Sequence, residues 1–407
     1  MLRSLKYLFF VFFSLISLFI SIIYLFFLIY KLNFKNKIVF LQPEGGFGHT
    51  ISTPEVLNKL FRKDEWILIF GYNPSRHNYL IKDLYKNNFF WLQLTYSYNF
   101  PKIIFEPFKK FIFFLLSLYL NYKKIKYHYY PDYLKKFKDY GFSKYNKGRL
   151  PSYERISFKI MFEKSQNIKL NNVRFRNLNF SIKKIKKCFL GYKKSKYNEI
   201  HSINRDSDEL ENYKKSLFSM INNGWHINIC GDLPKDLPNW FDDLKKNISF
   251  SKDSKDLNKF NLFAGINSDC YIGPMSGALS WKHMFPKKPS LIIDAYPFGW
   301  SYFNSVIAYR IIYKLNKNYK NVDNILIKER INWDNKKVNY ENRYTNQDEK
   351  EKIITNFLKN IKYINKEAIM PHNLGLPKDH PITWSYSSLS KTWYKIQMSV
   401  LKKNSNV

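Results

Sequence analysis

The sequence predicts an α/β protein of two halves behind one apolar N-terminal helix, and three observations carry that expectation. Apolar runs that read as strands alternate with segments that read as helices. Two of those strands, more than half the chain apart, end in glycine-rich turns that open helices. Tyr7 to Tyr30 is an uninterrupted stretch without charge, rich in Phe, Leu and Ile. Alternation of this kind argues for parallel sheets covered by helices. The 407-residue chain is longer than a single core usually serves, so two domains are expected beyond the apolar start.

In chain order, Tyr7 to Tyr30 comes first. At about 1.5 Å per residue it spans a hydrocarbon core of about 30 Å with some tilt. It is longer than a signal-peptide core, and Lys31-Leu-Asn-Phe-Lys35 follows in place of a small-x-small cleavage site, so it is expected to remain as a transmembrane anchor. Ser14, Ser17 and Ser21 share one face, suited either to close helix pairing or to plain lipid contact. Flanking charge leaves the orientation open, because Arg3, Lys6 and the N-terminal amine balance Lys31, Lys35 and Lys37.

The first half then reads as strand Lys37–Leu41, a loop Gln42-Pro-Glu44-Gly45-Gly46-Phe-Gly48-His49, and a helix Thr53–Arg62. That helix is expected to start at a Ser52 or Thr53 cap, with Pro54 in its first turn and Glu55 completing a capping box. Strand Trp66–Tyr72 and helix His77–Lys86 follow. Phe105 to Leu120 is too short to span; it suits either an in-plane, membrane-facing helix or a buried core helix. Residues 122–176 are Tyr- and Lys-rich with little period.

In the second half, strand Cys188–Tyr192, a helix over Asp208–Asn222, strands Trp225–Cys230 and Asp269–Ile272, helix Ala278–Met284 and strand Ser290–Ile293 repeat the alternation. A polar, proline-containing stretch from Pro371 to Pro381 and a helix Ser388–Lys402 end the chain. The expected divisions are an anchor at 1–35, a first domain at 36–185, a second at 186–370, and a tail with its helix at 371–407.

The net charge of +35 does not imply nucleic acid. Of the 67 basic residues only 11 are Arg, and Lys, Asn, Ile, Phe and Tyr are inflated together, as AT-rich coding produces. Lys lacks the planar fork that phosphate and base recognition favours, and no nucleic-acid-binding signature is present, so no nucleic-acid partner is expected. A basic, aromatic body tethered near a bilayer is instead drawn to anionic lipid. The three cysteines, Cys188, Cys230 and Cys270, sit in apolar runs without metal spacing and read as buried hydrophobes.

Candidate chemistry concentrates at strand ends. Asp269-Cys-Tyr-Ile-Gly273-Pro-Met-Ser276-Gly277-Ala278 is a strand that breaks into a small-residue turn and then a helix. Backbone N–H groups at such a helix start favour phosphate. Three more clusters precede it: Tyr192-Lys193-Lys194, then Arg205-Asp206-Ser207-Asp208 with Tyr213, then Gly231-Asp232. In open α/β sheets ligands bind beyond the carboxyl ends of strands, where these loops converge. A cation, helix amides and a serine hydroxyl together suit a diphosphate.

Arg205-Asp-Ser-Asp208-x4-Tyr213, Gly224-Trp-His-Ile-Asn-Ile-Cys-Gly231-Asp232 and Asn267-Ser-Asp-Cys-Tyr-Ile-Gly273-x-x-Ser276-Gly277 together resemble the ordered motifs of a family of bacterial proteins assigned as glycosyltransferases. Glu44-Gly-Gly-Phe-Gly-His-Thr50 is similar to that family's first-domain loop. The resemblance implies a GT-B-like architecture, two Rossmann-like domains with a nucleotide-sugar held mainly by the second. It implies donor contacts from Lys193, Arg205, Asp206, Asp208, Tyr213, Gly231, Asp232, Gly273, Ser276 and Gly277. Gly45, Gly46 and Gly48 then let the first-domain loop approach closely. His49 is the expected general base, with Glu44 the alternative. Asp206 and Asp208 also suit helix capping.

Two departures from the family stand out. Gly191-Tyr192-Lys193-Lys194 replaces a His-x-Arg-Asp strand end, and position 206 is Asp where Asn is usual. The expected function is a membrane-anchored glycosyltransferase moving a sugar from a nucleotide-sugar to a cell-surface glycan or lipid-linked acceptor. It would work without a metal or cofactor, with its domains on the cytoplasmic side of a bacterial inner membrane. The alternative is a non-catalytic glycan- or lipid-binding module on the same fold.

Overall fold

A computed structural model describes residues 36–43, 47–72, 80–85, 88–93, 102–130, 132–133, 186–192, 207–231, 237–250, 257–274, 288–296, 305–315, 322, 340–363 and 391–405, with separate positions between 12 and 34. These divide into two compact units, the first within residues 1–138 and the second from 186 onward.

The first unit is built on four strands, β1 (Ile38–Gln42), β2 (Trp66–Tyr72), β3 (Phe89–Gln93) and β4 (Tyr127–Tyr129). All pair in parallel, in the order β3-β2-β1-β4. Its helices are α1 (Phe47–Leu60), α2 (Ile81–Leu84) and α3 (Lys102–Tyr122). Strand side chains alternate between two covered faces. Val39, Leu41, Ile67, Ile69 and Leu92 pack with Ile112, Phe113, Leu116 and Leu120 of α3. Phe40 instead meets the rings of Phe61 and Tyr133.

Leu25 and Phe34 of the N-terminal segment join the α3 cluster, and Ile29 and Leu32 pack against it. The described residues from Phe12 to Tyr30 are helical. No helix among the described residues is long and apolar enough to cross a membrane, and much of the expected anchor at 7–30 lies outside them.

One expectation is corrected here. Helix α1 begins at Phe47, ahead of the expected Ser52 or Thr53 cap, and Pro54 lies inside it. A proline there removes one helical hydrogen bond. Burial outweighs that loss, since Thr50 to Leu57 are all enclosed. Glu55 therefore caps nothing and sits deep in the helix.

The second unit holds six parallel strands, β5 (Lys186–Tyr192), β6 (Trp225–Gly231), β7 (Ile248–Phe250), β8 (Cys270–Gly273), β9 (Ser290–Ala295) and β10 (Ser305–Tyr309). Their order is β7-β6-β5-β8-β9-β10. Counted within this sheet the order is 3-2-1-4-5-6, that of doubly wound dinucleotide-binding folds. A separate antiparallel pair joins β11 (Ile311–Leu315) to β12 (Tyr340–Arg343). The helices are α4 (Lys214–Asn222), α5 (Leu257–Asn267), α6 (Gln347–Lys359) and α7 (Lys391–Ser405). Cys188, Cys230 and Cys270 are free and buried in this sheet.

The C-terminal helix α7 is packed into the second unit. Trp393 is fully buried and its indole N–H donates to the Tyr309 carbonyl. Gln397 bonds both main-chain groups of Ile312, accepting from its N–H at 2.8 Å and donating to its carbonyl at 2.7 Å. One side chain thus occupies the place of a neighbouring strand.

Candidate functional site

In each sheet the strand order reverses at one point, between β1 and β4 in the first unit and between β5 and β8 in the second. Crevices at the carboxyl ends of such strands are where open α/β sheets hold ligands. The glycine-rich loop Glu44-Gly45-Gly46 leaves the end of β1, and the Gly273-to-Gly277 loop leaves the end of β8.

The longer α1 changes the geometry at the first loop. Its first turn comprises Phe47, Gly48, His49 and Thr50, so amides that lack a helical partner belong to these residues, directly after Gly45-Gly46. His49 is half-buried in that turn. Gln42, the last residue of β1, is 2% exposed, and among the described residues its side-chain oxygen has no hydrogen-bond partner. Glu44, Gly45 and Gly46 lie outside the described residues.

A second group lies further along α1. Tyr85 donates its hydroxyl to Glu55 Oε1 at 2.7 Å, while among the described residues Oε2 has only the Lys59 ammonium at 3.8 Å, beyond hydrogen-bond distance. Burial pushes the Glu55 carboxyl up from 4.5 to about 7, against the opposing pull of Tyr85 and Lys59. Burial and the neighbouring carboxylate also raise the Tyr85 phenol well above its ordinary value.

In the second unit, Tyr271 bridges the ends of β5 and β8. A Cβ at Gly191 would meet the Tyr271 hydroxyl at 2.7 Å; one at Gly273 would meet it at 2.7 Å and the Gly191 carbonyl at 2.8 Å. The hydroxyl itself donates to the Pro274 carbonyl at 3.1 Å. A Cβ at Gly191 would force the Tyr271 ring to shift, and one at Gly273 would force both that ring and the Gly191 carbonyl to shift, so the ring fixes the start of the Gly273 loop. Gly231, at the end of β6, holds φ 114° and is exposed. Lys193, Arg205, Asp206, Asp232, Ser276 and Gly277 lie outside the described residues.

Asp208 and Tyr213 are drawn inward. Fully buried Lys350, in the first turn of α6, donates to Asp294 and, at 3.0 Å, to Thr345 Oγ1; it pairs with Asp208 at 3.4 Å. Its ammonium stands 4.6 Å from the centre of the Tyr213 ring. Asp294, at the end of β9 with φ 51°, also accepts from the Thr345 amide and hydroxyl at 2.7 and 2.9 Å. Asp208 accepts from the Glu209 amide and the Asn212 side chain, both at 2.8 Å. The positive end of α6 adds to this field. Asp208 and Tyr213 therefore clamp the segment that follows Arg205.

Sequence reasoning missed Gln42, Tyr85, Lys350, Asp294 and Tyr271. Only Tyr271 carried a local signal, being the bulky residue between two strand-end glycines. Lys350 stands in a Lys/Glu run that reads as a solvated helix face, and its partner Asp294 is 56 residues away. Among the described residues no group of three or more His, Cys, Asp or Glu could hold a metal ion.

Neither a protein-family model nor a curated protein matches the chain. Solved structures of the wall teichoic acid polymerase TagF, two of them variants, align over 92% of this chain and 90% of theirs. Their identity is 11–12% and their TM-scores are 0.26–0.29. Scores this low do not establish a shared fold.

Proposed function

We propose that the chain is a GT-B-like, membrane-associated glycosyltransferase that moves a sugar from a nucleotide-sugar to a cell-surface glycan or lipid-linked acceptor. The observation that carries this reading is the 3-2-1-4-5-6 order of the second sheet, which brings the ends of β5 and β8 to either side of its reversal point. Lys193 and Lys194 continue from one strand end, and Ser276 and Gly277 from the other. In this reading the donor diphosphate lies across that crevice, met by Lys193, Arg205 and the amides after Ser276. Asp208 and Tyr213 do not touch it; through Lys350 they hold the Arg205 segment in place.

Catalysis rests on two acts. The acceptor hydroxyl loses its proton to His49 or Glu44 at the first-domain loop. The leaving nucleotide gains charge that fixed cations and helix amides stabilise without reorganising. The domains stand on the cytoplasmic side of a bacterial inner membrane, where nucleotide-sugars are made.

The test is release of free nucleotide by the detergent-solubilised full chain from a panel of UDP-, GDP-, ADP- and CMP-sugars. Release that Ser276→Trp and Arg205→Ala both abolish is the expected result. Thermal stabilisation by one nucleotide without turnover would mark a non-catalytic binding module. The absence of both signals would overturn the transferase reading.

A further inference from the structure

The outer side of α3 is apolar and uncovered. Phe111 is 50% exposed, Phe114 52%, Leu118 47% and Tyr122 79%, at spacings that form one stripe. The opposite stripe, Ile112, Phe113, Leu116 and Leu120, is packed into the core. A helix of a water-facing domain would put charge on its open side; this one is apolar on both. The N-terminal segment repeats the pattern beside it. Leu25 faces the same core cluster, while Phe12, Leu15, Phe19, Ile23, Phe26 and Phe27 are each more than half exposed. Two neighbouring elements of one body thus present uncovered apolar stripes.

Along the exposed stripe of α3 and the turn after it the charge is of one sign, Glu106 near the helix start and Asp132 past β4 standing outside that stretch. From Pro107 to Pro131 the sequence contains no Asp or Glu. Lys110, Lys123, Lys124 and Lys126 are all exposed. Apolar side chains flanked by lysine alone suit acyl chains beneath anionic headgroups.

We infer that α3 lies in the plane of an anionic bilayer with Phe111, Phe114 and Leu118 among the acyl chains, so that the first unit is seated on the membrane and not merely tethered to it. This goes beyond the transferase reading and does not depend on it. The N-terminal segment supplies reach, α3 fixes the tilt of the unit, and the lysines read headgroup charge. A loop following β1 in a unit so seated works at a constant height above the lipid.

The test uses the full chain in phosphatidylglycerol/phosphatidylethanolamine vesicles that contain a phospholipid with an acyl-chain diazirine. After irradiation, labelled positions are mapped by mass spectrometry. Label at Phe111, Phe114 and Leu118, comparable to that in residues 7–30 and at least about tenfold above that in Lys391–Ser405, is the expected result. Replacing phosphatidylglycerol with phosphatidylcholine should lower the α3 label about tenfold. The variant Phe111→Glu/Phe114→Glu/Leu118→Glu, altered only at exposed positions, should keep its circular dichroism and lose that label. Label confined to residues 7–30 in the wild-type chain overturns the proposal, as does an α3 face protected by cross-linking to a second copy.

Discussion

Glu55 in the first unit and Lys350 in the second are both fully buried ionisable groups on helices, yet they keep different company. Lys350 has two carboxylates, a hydroxyl and an aromatic face around one ammonium. Glu55 has one hydroxyl on one oxygen and a long ion pair on the other. The first arrangement satisfies its charge and becomes a clamp. The second leaves its charge underpaid by the surroundings, and the carboxyl responds by holding its proton to about pH 7. Burial alone therefore does not say whether a charge is structural or adjustable; the count of its partners does.

The largest effect that tests this contrast is expected from Lys350→Met. Two buried carboxylates would then face each other without a cation, a loss of about 3–5 kcal/mol. Urea unfolding followed by second-unit tryptophan fluorescence measures it, and a loss below about 1 kcal/mol would deny the clamp. Its effect on the site is read separately: on the transferase proposal, Asp208→Asn, a milder change, should raise KM for the nucleotide-sugar more than it lowers kcat.

Glu55 should behave differently. Its carboxyl binds a proton more tightly folded than unfolded, so stability is full below the ordinary carboxylate range and falls as pH rises from 4.5 to about 7. The fall amounts to about 3 kcal/mol at most. In Glu55→Gln the slope over that window should flatten; an unchanged slope would show that Glu55 does not carry it.

Gly273→Ala comes next, at about 1–3 kcal/mol, because Tyr271 and the Gly191 carbonyl must move. In the double variant with Tyr271→Phe, which lacks the hydroxyl in closest contact, part of that loss should return. The smallest effect is expected from Lys215→Met. Its exposed pair with Asp348 links α4 to α6, and its removal should leave the unfolding midpoint within error of the wild type.

Much of the framework was legible in the sequence. Trp66–Tyr72 is a strand over the expected residues, and Trp225, Cys270 and Ser290 begin or nearly begin strands as expected. Strands buried on both faces read as continuous apolar runs, which is what parallel sheets require. Phe89–Gln93 and Ser305–Tyr309 escaped although Asn87-Asn88 and Asn304 precede them, because an apolar run of five residues reads equally as strand or as part of a buried helix. Helix α1 was misplaced because Pro54 reads as a first-turn residue and a helix enclosed from Thr50 to Leu57 has no polar face to reveal its period. The site divided in the same way. Strand-end glycines announce close approach, as Gly191 and Gly273 show against Tyr271. The role of Asp208 depends on Lys350 and Asp294, which only the folded chain brings to it.

The seating of α7 has a consequence for synthesis. Trp393 and Gln397 take up the main-chain groups of Tyr309 and Ile312, so strands made some eighty residues earlier wait for the last helix to complete their bonding. While the chain is still emerging, that edge is open to any other extended segment, including one on a neighbouring nascent copy. A chain stopped short of Lys391 would leave that edge open for good, and its fate would be decided by chaperones and proteases before any question of catalysis arose.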